Sequence, residues 1–232
     1  KMEMFPEICF SVIVRMRQGI KKNYTLPRKA AEKLLEQFNE KQYLLVIRET
    51  KLLLKKVPNN LFLLNLIGSS LQNLGDLSSA KKIFKNILEM DNKNTSALNN
   101  LGNVYKNLKD YSSAEENYKK AIILNPTFIN ALVNYGSLKY ELNNYEEAVE
   151  LYKKALNLNN KIPMAHYNLG LVYQALGRFE DAKFHLQALS KIKPEITAAD
   201  KILSRFIKYK DGSQTIHNRI KTFFAENYFQ FK

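Results

Sequence analysis

Three asparagines, Asn100, Asn134 and Asn168, stand 34 residues apart in this chain of 232 residues. A carboxamide carries a donor and an acceptor together, so a row of them can clamp the peptide units of another chain without reading its side chains. The other groups that do chemistry are sparse. His166, His185 and His217 are scattered, His185 has no ligand partner in spacing, and Cys9 is the one cysteine, so no intramolecular disulfide can form. No CxxC pair, glycine-rich phosphate loop or Ser/His/Asp grouping occurs. The sequence therefore predicts no catalytic residue, no metal site and no cofactor.

Charge bounds the partners. The formal net charge is +14, unevenly spread. Residues 1–60 carry 13 Lys/Arg against 6 acids, residues 61–196 carry 16 against 13, and residues 197–232 carry 7 against 3. The excess lies at the two ends, without the continuous basic stripe and interleaved aromatics of a nucleic-acid binder, so nucleic acid is not an expected partner. The apolar run Ile8–Val14 is followed by Arg15 and Arg17, the reverse of a secretory charge order. No stretch approaches the roughly 20 apolar residues of a membrane span. These readings predict a soluble, cytoplasmic protein.

The asparagines need a scaffold that repeats with them. Written in lines of 34, residues 61–94, 95–128, 129–162 and 163–196 fall into register. Ile67-Gly68, Leu101-Gly102, Tyr135-Gly136 and Leu169-Gly170 recur at one place. Ala80, Ala114, Ala148 and Ala182 recur at a second, and Phe84, Tyr118, Tyr152 and Leu186 at a third. Leu98, Leu101, Val104 and Tyr105 share one helical face, as do Ala114, Tyr118 and Ala121, so each line predicts two amphipathic helices. Gly102 and Ala114 are small so that the pair can close, with Tyr118 filling the space beside them. Gly75, Lys109, Asn143 and Gly177 mark the turn between helices, where a left-handed residue commonly ends a helix and lysine is a costlier choice than glycine. Glu115-Glu116 and Glu146-Glu147 read as complements to the positive starts of the second helices, and Lys119-Lys120 and Lys153-Lys154 to their negative ends. His166 reads as a packing residue at the core edge.

Segments such as ALNNLGNVYKNLKDYSSAEENYKKAIILNP resemble the tetratricopeptide repeat family. The resemblance implies an all-α, right-handed solenoid of stacked antiparallel helix pairs. It also implies that the first helices line a concave groove that binds peptides. Asn100, Asn134 and Asn168 would then form a ladder there, with Asn65, Ser69, Asn99, Asn103, Asn130, Ser137, Tyr140, Tyr167 and Gln174 beside it. Helices roughly 8–10 Å apart and a strand rising about 3.3 Å per residue let such a ladder meet about every third residue of a bound chain. A similar ladder is familiar from the repeats of protein O-linked sugar transferases. The competing reading is a solvated polar surface in an Asn-rich chain. A carboxylate clamp of Lys and Arg is not expected, because Asn99, Val133 and Tyr167 and the three ladder asparagines hold the corresponding places.

The register extends backwards over 27–60 as a degenerate capping repeat with Lys33-Leu34 where Leu-Gly is usual, and forwards over 197–210 as a lone cap helix. Residues 1–26 are an extension, with a helix or a partner-binding arm as alternatives, and 211–232 a tail or helix. The run at 226–230 resembles a protease-cleavage sequence and is given no role. Residues 193–212 (KPEITAADKILSRFIKYKDG) resemble the segment after the last repeat in bacterial proteins that join such repeats to a sulfotransferase domain. The expected function is a protein–protein interaction scaffold that binds a peptide or partner segment. The alternative is the non-catalytic repeat portion of a larger transferase. A second copy, held through residues 1–26 or 213–231, is a further possible partner.

Overall fold

The computed structural model describes residues 26–192. The extension at 1–25, the run at 193–212, the cap helix at 197–210 and the tail at 211–232 lie outside the described residues. The described residues form α-helices joined by short turns: α1 (Arg28–Asn39), α2 (Tyr43–Leu54), α3 (Leu61–Asn73), α4 (Leu77–Met90), α5 (Thr95–Asn107), α6 (Tyr111–Leu124), α7 (Ile129–Glu141), α8 (Tyr145–Leu158), α9 (Pro163–Ala175) and α10 (Phe179–Ile192). The chain divides into two compact units between Asn92 and Lys93. The first holds α1–α4 and the second α5–α10.

Local chemistry starts and stops these helices. Asn60 and Asn94 cap α3 and α5, each side chain accepting the backbone N–H three residues on at 3.0 Å. Asp76 and Asp110 do the same for α4 and α6 at 3.0 and 3.1 Å. Each cap satisfies one of the backbone donors that a helix start leaves without a partner. Pro163 opens α9, where its missing N–H removes nothing from the helix.

The turn inside each helix pair ends on a left-handed residue. Lys41, Gly75, Lys109, Asn143 and Gly177 have φ of 62°, 84°, 64°, 61° and 71°. Four of these are the turn residues expected from the sequence, and Lys41 adds the same conformation between α1 and α2. A side chain at Cβ makes this geometry costly for lysine, whereas glycine adopts it freely.

Packing closes each pair at one point. A Cβ placed on Gly102 would meet the Tyr118 ring at 2.6 Å, and on Gly136 the Tyr152 ring at 2.7 Å. Gly68 faces Phe84, and Gly170 faces Leu186, both at 2.7 Å. Tyr118, Tyr152 and Phe84 are buried, as are Ala80, Ala114 and Ala148. In the first unit, Leu34, Val46, Leu63 and Leu66 form one cluster that joins the α1–α2 pair to α3. In the second, Ala114 and Tyr118 pack with Leu132, Tyr135, Leu138, Leu151, Ala155, Ile162 and Ala165, so one core runs through adjacent pairs. Within each unit, then, burial of one pair's apolar surface draws on its neighbour.

Replacing Lys109 by Gly is expected to stabilise the chain by about 1 kcal/mol, and Gly177 by Ala to destabilise it by a similar amount. Gly102→Ala should cost roughly 1–3 kcal/mol through forced displacement of the Tyr118 ring. Chemical denaturation of the three variants measures all three.

Candidate functional site

Within the second unit, the first helices α5, α7 and α9 present the predicted residues. Asn100, Asn134, Asn168, Asn103, Ser137, Tyr140 and Gln174 are partly exposed, and Asn130 is exposed. Asn65 and Ser69 are partly exposed on α3 of the first unit, where Asn65 Nδ2 donates to the Leu61 carbonyl at 3.0 Å.

Two of the residues expected on the open face are buried instead. Asn99 is 5% exposed and Tyr167 is 9% exposed. Asn99 Oδ1 accepts Asn134 Nδ2 at 2.9 Å, and Asn99 Nδ2 donates to Asn100 Oδ1 at 3.2 Å. The carboxamide chain Asn134–Asn99–Asn100 thus bridges α7 to α5, and part of the ladder's bonding capacity serves the joint between pairs. Asn103 Oδ1 likewise accepts the Tyr118 hydroxyl at 2.6 Å, giving that buried ring a polar partner. A second bridge, not expected from the sequence, lies further along the same helices: Lys106 Nζ donates to Ser137 Oγ at 3.3 Å and pairs with Glu141 at 3.2 Å. Opposite charges one repeat and one residue apart were the available signal. Tyr140 lies against Tyr145, ring centroids 5.7 Å apart, and burial pushes its hydroxyl up to about 12.

A cluster of charge sits between α6, α7 and α8. Lys139 takes the place that Tyr105 and Tyr173 fill in the flanking pairs, yet its side chain is only 7% exposed. Its Nζ reaches Glu115 Oε1 and Glu147 Oε2, each at 2.9 Å. The Tyr135 hydroxyl stands within 2.8 Å of Glu115 and 3.1 Å of Glu147. Burial raises the Glu115 pKa, but bonds from Lys119, Lys139 and Tyr135 outweigh it and hold the carboxyl at about 2. Burial, then the bond to Glu115, raises the Tyr135 hydroxyl. Burial works against the Lys139 charge, and the bonds to Glu147 and Glu115 overcome it, so its pKa is raised.

The helix-dipole reading of the neighbouring charges is corrected. The first turn of α6 has no acid and its last turn no base, and α8 likewise ends without a base. Glu115–Lys119 and Glu116–Lys120 pair along the helix at 2.6 Å instead, the spacing at which neighbours on a helix surface meet. Glu146 and Glu147 do stand in the first turn of α8, and Glu147 also serves Lys139.

The fold also brings together two histidines that the sequence left apart. His166 is buried at 7% exposure, and its Nε2 lies 2.9 Å from the Asn160 carbonyl. A carbonyl only accepts, so Nε2 carries a proton, and in the neutral ring Nδ1 is then the acceptor. Nδ1 of His185 lies 3.0 Å away and donates to it in that tautomer. Tyr173 stacks on His185 at 5.6 Å and 14°, Arg178 lies 4.5 Å over the Tyr173 ring, and Phe184 meets His185 edge-on. Burial, then the neighbouring His166, lowers the His185 pKa to about 4; Asp181 opposes this and Lys153 adds to it. Among the described residues no group of three or more His, Cys, Asp or Glu could hold a metal ion. No helix among them is long and apolar enough to cross a membrane.

Two outcomes follow from these clusters. Between about 4 and the ordinary value of 6.5, the unfolded chain binds a proton at His185 that the folded chain refuses. Thermal stability should therefore be full above pH 6.5 and fall as the pH is lowered toward 4. His185→Phe should flatten that slope in melts followed by circular dichroism. Lys139→Met leaves Glu115 and Glu147 without their shared cation and should cost roughly 1–3 kcal/mol in denaturant titrations.

The sequence and fold place the chain among known proteins. Residues 63–94, 95–128 and 163–196 match families described as tetratricopeptide repeat, and residues 136–177 match one described as TPR repeat. No curated protein sequence matches the chain. Among solved structures, the type IV pilus biogenesis factor PilW is 18% identical, covering 85% of this chain and 91% of its own, with a TM-score of 0.69. The thermophilic TPR protein TTC0263 of Thermus thermophilus is 16% identical, covering 75% and 95%, with a TM-score of 0.68. MamA from Desulfovibrio magneticus RS-1 is 20% identical, covering 72% and 95%, with a TM-score of 0.56. The described residues are helical throughout their regular elements, the matches span most of the stacked pairs, and the chain belongs to the tetratricopeptide repeat family.

Proposed function

We propose that the chain is a non-catalytic interaction scaffold that holds a segment of a partner protein along the face of α5, α7 and α9. The observation that carries this reading is the run of partly exposed carboxamides on successive first helices, Asn100, Asn134 and Asn168, beside Tyr140 and Gln174. Amides bond a backbone whatever its side chains, and tyrosine adds amphipathic contact area at low entropic cost. Lys106, a cation bonded across this face, is paired with Glu141. The face thus suits an uncharged stretch of chain rather than an acidic tail. The Asn134–Asn99 bond holds two of the helices in fixed relation, which lowers the ordering cost of binding.

The test uses peptides selected from a displayed random library against the whole chain, with affinity read by fluorescence anisotropy. Replacing Asn100, Asn134 and Asn168 together by Ala should weaken those peptides at least about tenfold, since several bonded amides are lost at once. Because Asn134 also bridges to Asn99, the variant's helicity and melting are measured alongside, and an Asn99→Ala variant reports the cost of that bridge alone. Unchanged affinity in a folded triple variant would falsify the proposal.

A further inference from the structure

We infer that the outer face of α2 docks on an anionic lipid surface. None of its residues belongs to the proposed binding face, and the inference goes beyond the scaffold reading. Leu44, Arg48, Lys51 and Leu52 of α2 and Lys55 at its C-cap are all exposed, and their spacing places them on one stripe. Leu44 is 73% exposed and Leu52 is 56% exposed, so neither contributes to the core. The one acid of α2, Glu49, is half-buried on another side and bonded to Lys33 Nζ at 2.9 Å. One repeat further on, exposed Lys82 and Lys85 of α4 occupy the places of Arg48 and Lys51. The equivalent places on α4, α6, α8 and α10 each include an acid, Glu89, Glu116, Glu150 and Glu180 respectively, although α6 and α8 keep Lys119 and Lys153 at the place of Lys51, so among the described second helices α2 presents this stripe without an acid.

Charge selects the occupant. Residues 1–25 carry five Lys/Arg against two acids, and residues 193–232 carry eight against four, so neither flank complements a basic stripe. A second copy would bring the same basic stripe to meet it. The partner must be anionic, and the two leucines decide its kind. Leucine standing clear of its own protein gains by entering acyl chains, while lysine and arginine stems extend to the headgroups. A nucleic acid offers phosphates but nothing to bury leucine, and the stripe has no aromatic side chain on which bases could stack.

The test is co-sedimentation of the full chain with vesicles of equal parts phosphatidylglycerol and phosphatidylcholine, against vesicles of phosphatidylcholine alone. Binding should require the anionic lipid and weaken as salt is raised. Arg48→Glu, Lys51→Glu and Lys55→Glu together should reduce partitioning at least about tenfold. A second triple, Lys153→Glu, Lys154→Glu and Lys183→Glu, changes the net charge equally on exposed residues of the second unit and should leave most of the binding intact. Leu44→Gln with Leu52→Gln should weaken it roughly tenfold at constant charge. Circular dichroism establishes that each variant is folded. The proposal is overturned if anionic vesicles are not bound, if the two charge triples behave alike, or if duplex DNA or polyglutamate binds where vesicles do not.

Discussion

In each helix pair from residue 61 onward, a bulky side chain of the second helix lies against the bare backbone of the first. Tyr118 against Gly102 is the closest of these approaches. A methyl group at the glycine would occupy the same space as the ring, so the distance between the two helices is set by the absence of a single carbon atom. That distance places the alanines of the second helix in the core, and through them fixes how the next pair packs. The side chains on the first-helix face inherit their positions from this contact. A site built on such a frame is presented by rigid elements rather than by loops, and little ordering remains to be done when a partner arrives.

Much of this is legible in the sequence alone. The glycine, alanine and bulky residues recur at a fixed interval, and their sizes alone state which must be close and which must fill space. The turn residues were equally plain, since glycine and asparagine tolerate the left-handed conformation and Lys109 occupies the same register despite its cost. What the sequence hid are contacts whose partners lie on different helices without any periodic echo. His166 and His185 meet once, at the end of the described residues, and nothing in the earlier pairs announces it. The burial of Asn99 was obscured by its neighbour Asn100, because adjacent asparagines on a helix cannot be sorted into inner and outer without the angle at which the next helix crosses.

Polar residues of the second unit already serve the joint between its helix pairs. Asn134, Asn99, Lys106 and Ser137 join α5 to α7 by bonds that an apolar joint could not make directional. Asn100 on α5 and Asn168 on α9 keep part of their surface open to solvent. Under the proposed function, binding and cohesion would share this row, and a ligand that competed for the Asn134 amide would act on the α5–α7 joint as well as on its own retention.

The cluster around Lys139 sets a limit on how this chain can be rearranged. Its anions come from two different lines of the register, Glu115 from the one before and Glu147 from its own. The segment at 129–162 is consequently not interchangeable with its neighbours, although its outline is the same. Duplicating it or shuffling the order would strand a buried cation away from half of its counter-charge, and deleting it would take that cation from Glu115, so the array can change length by gaining units elsewhere more cheaply than at this junction.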